Sequence, residues 1–94
     1  MRYLISAAAA ADIQHVAREG LQRFGAGQAA VYVDGLNRAF KLIAAFPLSN
    51  RERPELSPPQ RVCRYGAHLV FYTTREDAVL ILRVRHGRED WAGD

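Results

Sequence analysis

The sequence predicts an α+β fold, an N-terminal strand and an antiparallel helical hairpin packed on a mostly antiparallel sheet completed by a C-terminal three-stranded meander. Three observations predict it. Apolar residues recur at helical spacing from Ala7 to Phe46, three strand-like runs fill the last third of the chain, and all four prolines lie in the segment that separates these halves. At 94 residues the chain is the size of one domain spanning 1–94, large enough for a modest core.

Arg2 to Ile5 (RYLI) reads as a short first strand, and Ser6 as the N-cap of a helix after it. From there Ala9, Ile13, Val16, Ala17, Leu21 and Phe24 recur at steps of three and four, which is one apolar helical face. Gly25 and Gly27 in FGAGQ signal a helix stop and a tight reversal. A second apolar face carries Ala29, Tyr32, Val33, Leu36, Ala39, Phe40 and Ile43 and ends near Phe46, before Pro47. Two helices joined so tightly are expected to pack antiparallel. Within the second, Gly35 is expected to permit close packing.

The stretch from Pro47 to Gln60 (PLSNRERPELSPPQ) has no periodicity and reads as a surface connection. Strands are expected over Arg61–Tyr65, His68–Thr74 and Ala78–Arg85, with turns at Gly66-Ala67 and Arg75–Asp77. The run AVLILRV from Ala78 to Val84 is apolar at almost every position, as in a strand covered on both faces. By simple alternation Leu80, Leu82 and Val84 face the helices, and Val79, Ile81, Arg83 and Arg85 form an outer stripe suited to docking a partner.

Charge is mild, at +3, but unevenly placed. Twelve of the thirteen basic residues are arginine, and between Arg61 and Arg88 six arginines face two acids, Glu76 and Asp77. A locally cationic sheet suits an acidic partner, protein or phosphate. No apolar run approaches the roughly 18 to 20 residues of a membrane span, and Asp12 interrupts the short apolar start, so a cytoplasmic protein without membrane contact is expected. Cys63 is the lone cysteine, which excludes an internal disulfide and disfavours a zinc site.

Asp12, His15 and Glu19 share a helical face at i, i+3 and i+7, a spacing open to a metal but equally the pattern of solvated residues beside an apolar stripe, and we expect no metal or cofactor. No G-x-S-x-G, Walker, C-x-x-C or H-E-x-x-H motif occurs. The residues able to do chemistry gather on the sheet: Arg61, Arg64, Tyr65, His68, Tyr72, Arg83, Arg85, His86 and Arg88. Metal-free RNA cleavage would need a base, an acid and cations for the phosphorane, roles open to Arg61, His86 and Arg88. Strand arginines serve more commonly as solubilising or interface residues, and binding is the favoured reading.

Ala11-Asp12-Ile13, Phe24-Gly25, Gln28-Ala29 with Tyr32, Phe46-Pro47, His68-Leu69-Val70-Phe71-Tyr72 and Ile81-Leu82-Arg83-Val84-Arg85-His86-Gly87-Arg88 occur here in an order and spacing that resemble the ParE branch of the ParE/RelE toxin superfamily. The resemblance covers nearly the whole chain. It implies a growth-inhibiting toxin of a plasmid-stabilising type II toxin–antitoxin module, held in a hetero-oligomer by a ParD-like antitoxin. It further implies DNA gyrase as target, whereas RelE relatives are ribosome-dependent mRNA endoribonucleases with a lysine-rich sheet and a C-terminal tyrosine. This chain has no lysine after Lys41 and, from Glu89 to Asp94, Trp91 but no tyrosine, which favours the gyrase branch. A toxic, target-binding surface is expected at Arg83, Arg85, His86, Arg88 and Trp91, and antitoxin contact at Val79, Ile81, Arg83 and Arg85. An inactive relative kept as a non-toxic interaction module is the third reading.

Overall fold

The computed structural model describes residues 1–88. Strand β1 (Arg2–Ile5) leads into a helical run, α1 (Ala7–Ala45), followed by β2 (Glu52–Arg53), β3 (Gln60–Tyr65), β4 (His68–Thr74) and β5 (Ala78–His86). The five strands form one sheet in the order β1-β5-β4-β3-β2, with β1 parallel to β5 and the remaining pairs antiparallel. The α+β class expected from the sequence is what the molecule has.

Ser6 starts α1 as expected. Its backbone is extended and its hydroxyl accepts the Ala9 N–H at 3.0 Å, satisfying one of the donors a helix start leaves open. The same hydroxyl donates to the Leu82 carbonyl at 2.9 Å, and the Ser6 N–H donates to Ile81 at 3.0 Å, so the cap also bolts the helix to β5.

The reversal expected from Gly25 and Gly27 takes up less chain than two glycines suggested. Helical conformation runs through 7–45 and is interrupted at one residue, Gly25, with φ 87° and ψ 168°. A straight helix of 39 residues would be about 58 Å long, yet the longest extent of the molecule is 38 Å. The arms before and after Gly25 therefore fold back on each other, and Ala29 Cβ lies 3.5 Å from where a β-carbon on Gly20 would stand. One glycine suffices because only a residue without a Cβ enters that backbone region cheaply.

Both arms lie on one face of the sheet. Ala9 and Val16 from the first and Leu36, Phe40 and Ile43 from the second join Val70, Tyr72, Val79, Ile81 and Val84 in the main core. Tyr3 of β1 packs its ring on Phe40, with centroids 5.6 Å apart. Gly35 meets its expected role: the Tyr65 hydroxyl occupies the space a β-carbon there would need and donates to the Tyr32 carbonyl at 3.1 Å.

The expected faces of β5 are corrected. Val79 and Ile81 are 0% exposed and point into the helix-side core, so they are not an outer stripe and cannot offer a docking surface. Leu82 instead packs on the opposite face, with Leu56, Leu69, Phe71 and Val62. Alternation failed because β4 and β5 slip register: Tyr72 pairs with Ile81 but Phe71 with Arg83, leaving Leu82 as the extra residue of a bulge. The parity therefore changes within the strand, and Val84 returns to the helix side. Nor is the outer face bare. The proline-rich connection contributes a two-residue strand, β2, where none was expected, and lays Leu56 over Leu69 and Phe71, all at 7% exposure or less.

Candidate functional site

β1 stops pairing at Ile5–Ile81, so from Leu82 to His86 β5 is an edge strand, paired with β4 on its other side. Unpaired edge groups need partners. Ser6 takes the Leu82 carbonyl, and Asp12, further along α1, takes the Val84 N–H at 2.9 Å. The Asp12 carboxylate also receives Arg83 as a two-pronged fork, Nε at 2.8 Å and Nη2 at 3.1 Å. Asp12 is mostly buried by this, at 16% side-chain exposure against 43% for Arg83. This corrects the grouping of Asp12 with solvated residues: it locks a strand edge, while His15 pairs with Glu19 at 3.1 Å. Among the described residues no group of three His, Cys, Asp or Glu is arranged to hold a metal.

Past the Asp12 lock lies an aromatic and imidazole cluster. His86 and His68 are cross-strand neighbours with ring centroids 5.3 Å apart and nearly perpendicular. Tyr32, from the second arm of α1, places its hydroxyl 2.8 Å from His68 Nδ1, 3.2 Å from the Tyr65 carbonyl and 3.1 Å from the Ala67 N–H it accepts. Burial pushes the Tyr32 phenol above its usual range, the Ala67 hydrogen bond opposing and the nearby Tyr65 adding to it. Tyr32 is thus a neutral hub tying α1 to the β3–β4 turn. The chain leaving β5 is pinned to the same turn: Gly87 N–H donates to the Ala67 carbonyl at 2.8 Å, and Arg88 N–H to His86 Nδ1 at 3.1 Å.

Two clefts meet at the histidines. One of about 350 Å³ opens between Gly20, Phe24, Ala29 and Tyr32 of α1 and His68 and His86 of the sheet. The second, about 140 Å³, is bounded by Asp12, His15, Glu19, Arg83 and Arg85. Exposed Leu21 and Phe24, at 53% and 63%, stand at the α1 reversal beside the larger cleft.

The structure brings Arg85, His86 and Arg88 together at this end and holds Arg83 beside them through Asp12. Trp91 lies outside the described residues. Arg61 is elsewhere: it donates to the Asn50 carbonyl at 2.6 Å beside Tyr72, whose hydroxyl donates to Pro47 at 2.8 Å. Burial is the leading cause that raises both the Tyr72 phenol and the Cys63 thiol there, hydrogen bonding to Asn50 opposing it in each. Arg61 stands four residues along β3 from Tyr65, the residue that pairs with His68, hence about 14 Å along the strand from the histidine row. The candidate ribonuclease trio of Arg61, His86 and Arg88 is therefore not assembled. Asp12 and Tyr32 are the residues whose part at this end sequence reading missed. For Asp12 the available signal was a carboxylate in the first helix beside an unusually arginine-rich last strand.

The family model described as the ParE toxin of type II toxin-antitoxin system, parDE, matches residues 3–91. Toxin ParE1 of Mycobacterium tuberculosis (strain ATCC 25618 / H37Rv) is 36% identical over 90 residues, covering 95% of this chain and 92% of that protein. Toxin ParE1 of Caulobacter vibrioides is 34% identical over 84 residues, covering 89% and 86%. A solved structure described as the chromosomal ParDE TA system from P. aeruginosa has the same fold, with a TM-score of 0.78 at 18% identity over 92% of this chain and 95% of that one.

Proposed function

Because the chain belongs to the ParE toxin family of type II toxin–antitoxin systems, we propose that it inhibits growth by binding DNA gyrase, with no chemistry of its own, until a ParD-type antitoxin covers it. What supports binding over cleavage is that the three residues named for cleavage do not assemble: Arg61 stands about 14 Å along β3 from the row that holds His86. The target surface is the end of β5, with Arg85, His86 and Arg88 presented by the pinned turn, Arg83 held at their side and Trp91 following. No described helix is long and apolar enough to cross a membrane, and the toxin is proposed to act in the cytoplasm.

A partner is supported by the apolar surface left at the helices. Leu21, Phe24, Val31, Leu42, Phe46 and Leu48 are all more than half exposed. The antitoxin is proposed to cover part of this surface, in place of the stripe at Val79 and Ile81 that the bulge removes.

The test is gyrase supercoiling and ribosome-bound mRNA integrity, assayed side by side with the toxin alone. Loss of supercoiling with intact mRNA is expected, and Arg85→Ala with Arg88→Ala should lose inhibition while melting as wild type does. Cleaved mRNA with normal supercoiling contradicts the reading.

A further inference from the structure

Acids are sparse along strands β3 to β5. Glu76 and Asp77 lie in the β4–β5 turn, where Asp77 pairs with Arg2 at 3.3 Å. From Gln60 to Arg75 and again from Ala78 to Arg88 the chain has no acid, and Glu89 and Asp90 follow Arg88 in the sequence. At the end opposite Glu76 and Asp77, on the face away from the helices, Arg64 pairs across with Leu69 and Leu69 with Arg85. The two arginines thus share one cross-strand row, about 10 Å apart on Cα atoms two strands removed. The Arg64 guanidinium lies against the backbone at Gly87, 3.3 Å from where a β-carbon there would stand, and exposed Arg88 follows. The bonds from the Gly87 and Arg88 N–H groups hold the backbone of the third arginine next to the Gly87 backbone that Arg64 lies against.

We propose that Arg64, Arg85 and Arg88 form a site for the phosphate backbone of duplex DNA, engaged without regard to base sequence. Guanidinium forks match phosphate oxygens, and all three cations are arginine. The residues between them offer nothing to a base: Leu69 is 7% exposed, and Phe71, the aromatic of that face, 4%. Single-stranded binding relies on exposed stacking rings, so a backbone read from outside a duplex is the better fit. The site deepens the gyrase reading and rests on it for the choice of DNA, since gyrase presents its DNA beside its protein surfaces. A toxin touching both would dock on the gyrase–DNA complex in preference to free gyrase.

The full 94-residue chain, without antitoxin or gyrase, is titrated by fluorescence anisotropy against labelled duplexes of unrelated sequence. Three phosphate contacts predict a slope of log K against log salt of about −2.7, hence roughly 40-fold weaker binding at 200 than at 50 mM salt. Arg64→Ala, Arg85→Ala and Arg88→Ala should each make the slope shallower by about 0.9, equally on every duplex, with melting unchanged. Arg38→Ala, on the helix and paired with Asp34, should leave it alone. Absence of salt-dependent binding, a triple variant with the wild-type slope, or tighter binding of single-stranded RNA overturns the site. The expected slopes with no effect on gyrase would uphold the DNA site and sink the gyrase reading instead.

Discussion

Removing the Asp12 carboxylate should unlock the free edge of β5. Asp12→Ala deletes the fork to Arg83 and the acceptor of the Val84 N–H, contacts at 2.8, 3.1 and 2.9 Å. Arg83 is 43% exposed, so solvent screens the ion pair to about 0.5–1 kcal/mol. Loss of the partner of a part-buried backbone donor adds about 1–2 kcal/mol. Alanine in the helix returns roughly 0.5 kcal/mol, leaving a net destabilisation near 1.5 kcal/mol. For a domain of this size that lowers Tm by roughly 6–12 °C. Asp12→Asn keeps an oxygen for Val84 and should cost about a third as much. Asp34→Ala is the control, since its pair with Arg38 is exposed at 62% and 77% and should matter little. Thermal melts at low and 1 M salt, with amide exchange at Val84, separate the two contributions: salt removes only the ion-pair part. If Asp12→Ala melts with Asp34→Ala, or Val84 exchanges no faster, the edge-lock reasoning fails.

Three further outcomes are expected. The folded-state phenols of Tyr32 and Tyr72 are both raised, so their contribution to stability is present below the unfolded value near pH 10 and lost as pH climbs toward the folded values; denaturant midpoints should fall above that pH, less so in Tyr32→Phe than in wild type. Gly35→Ala should drive the Tyr65 ring off α1 and lower stability by about 1 kcal/mol despite alanine's better helix propensity, and a stabilised variant would refute the close contact. Antitoxin peptide at a hundredfold excess over Kd should add about 2.7 kcal/mol and raise Tm by roughly 10–20 °C, whereas equal midpoints would deny a covering partner.

What could be read from the chain was what it encodes locally. The Ser6 cap, the Gly25 break, the Gly66 turn and the extent of β4 each depend on a few adjacent residues and stand where expected, while β5 runs one residue past its expected end, to His86. The faces of β5 were not legible, because AVLILRV is apolar on both sides and the bulge at Leu82 is made by pairing with β4, not by any residue type in β5. Leu56 looked like loop because prolines surround it, yet it covers the outer face. Asp12 and Arg83 are 71 residues apart, and helical spacing grouped Asp12 with His15 and Glu19 instead. At the candidate site the arginines of β5 could be named from charge alone. The hold of Asp12 on Arg83 and the pinning of Gly87 to Ala67 required the fold.

The central claim is that the end of β5 stops gyrase by binding. It is tested most directly by measuring gyrase-dependent DNA cleavage and supercoiling with the wild-type chain and with Arg85→Ala/Arg88→Ala. Wild type should trap cleaved DNA and halt supercoiling, and the folded double variant should do neither. Full inhibition by that variant, or none by the wild type, would contradict the account.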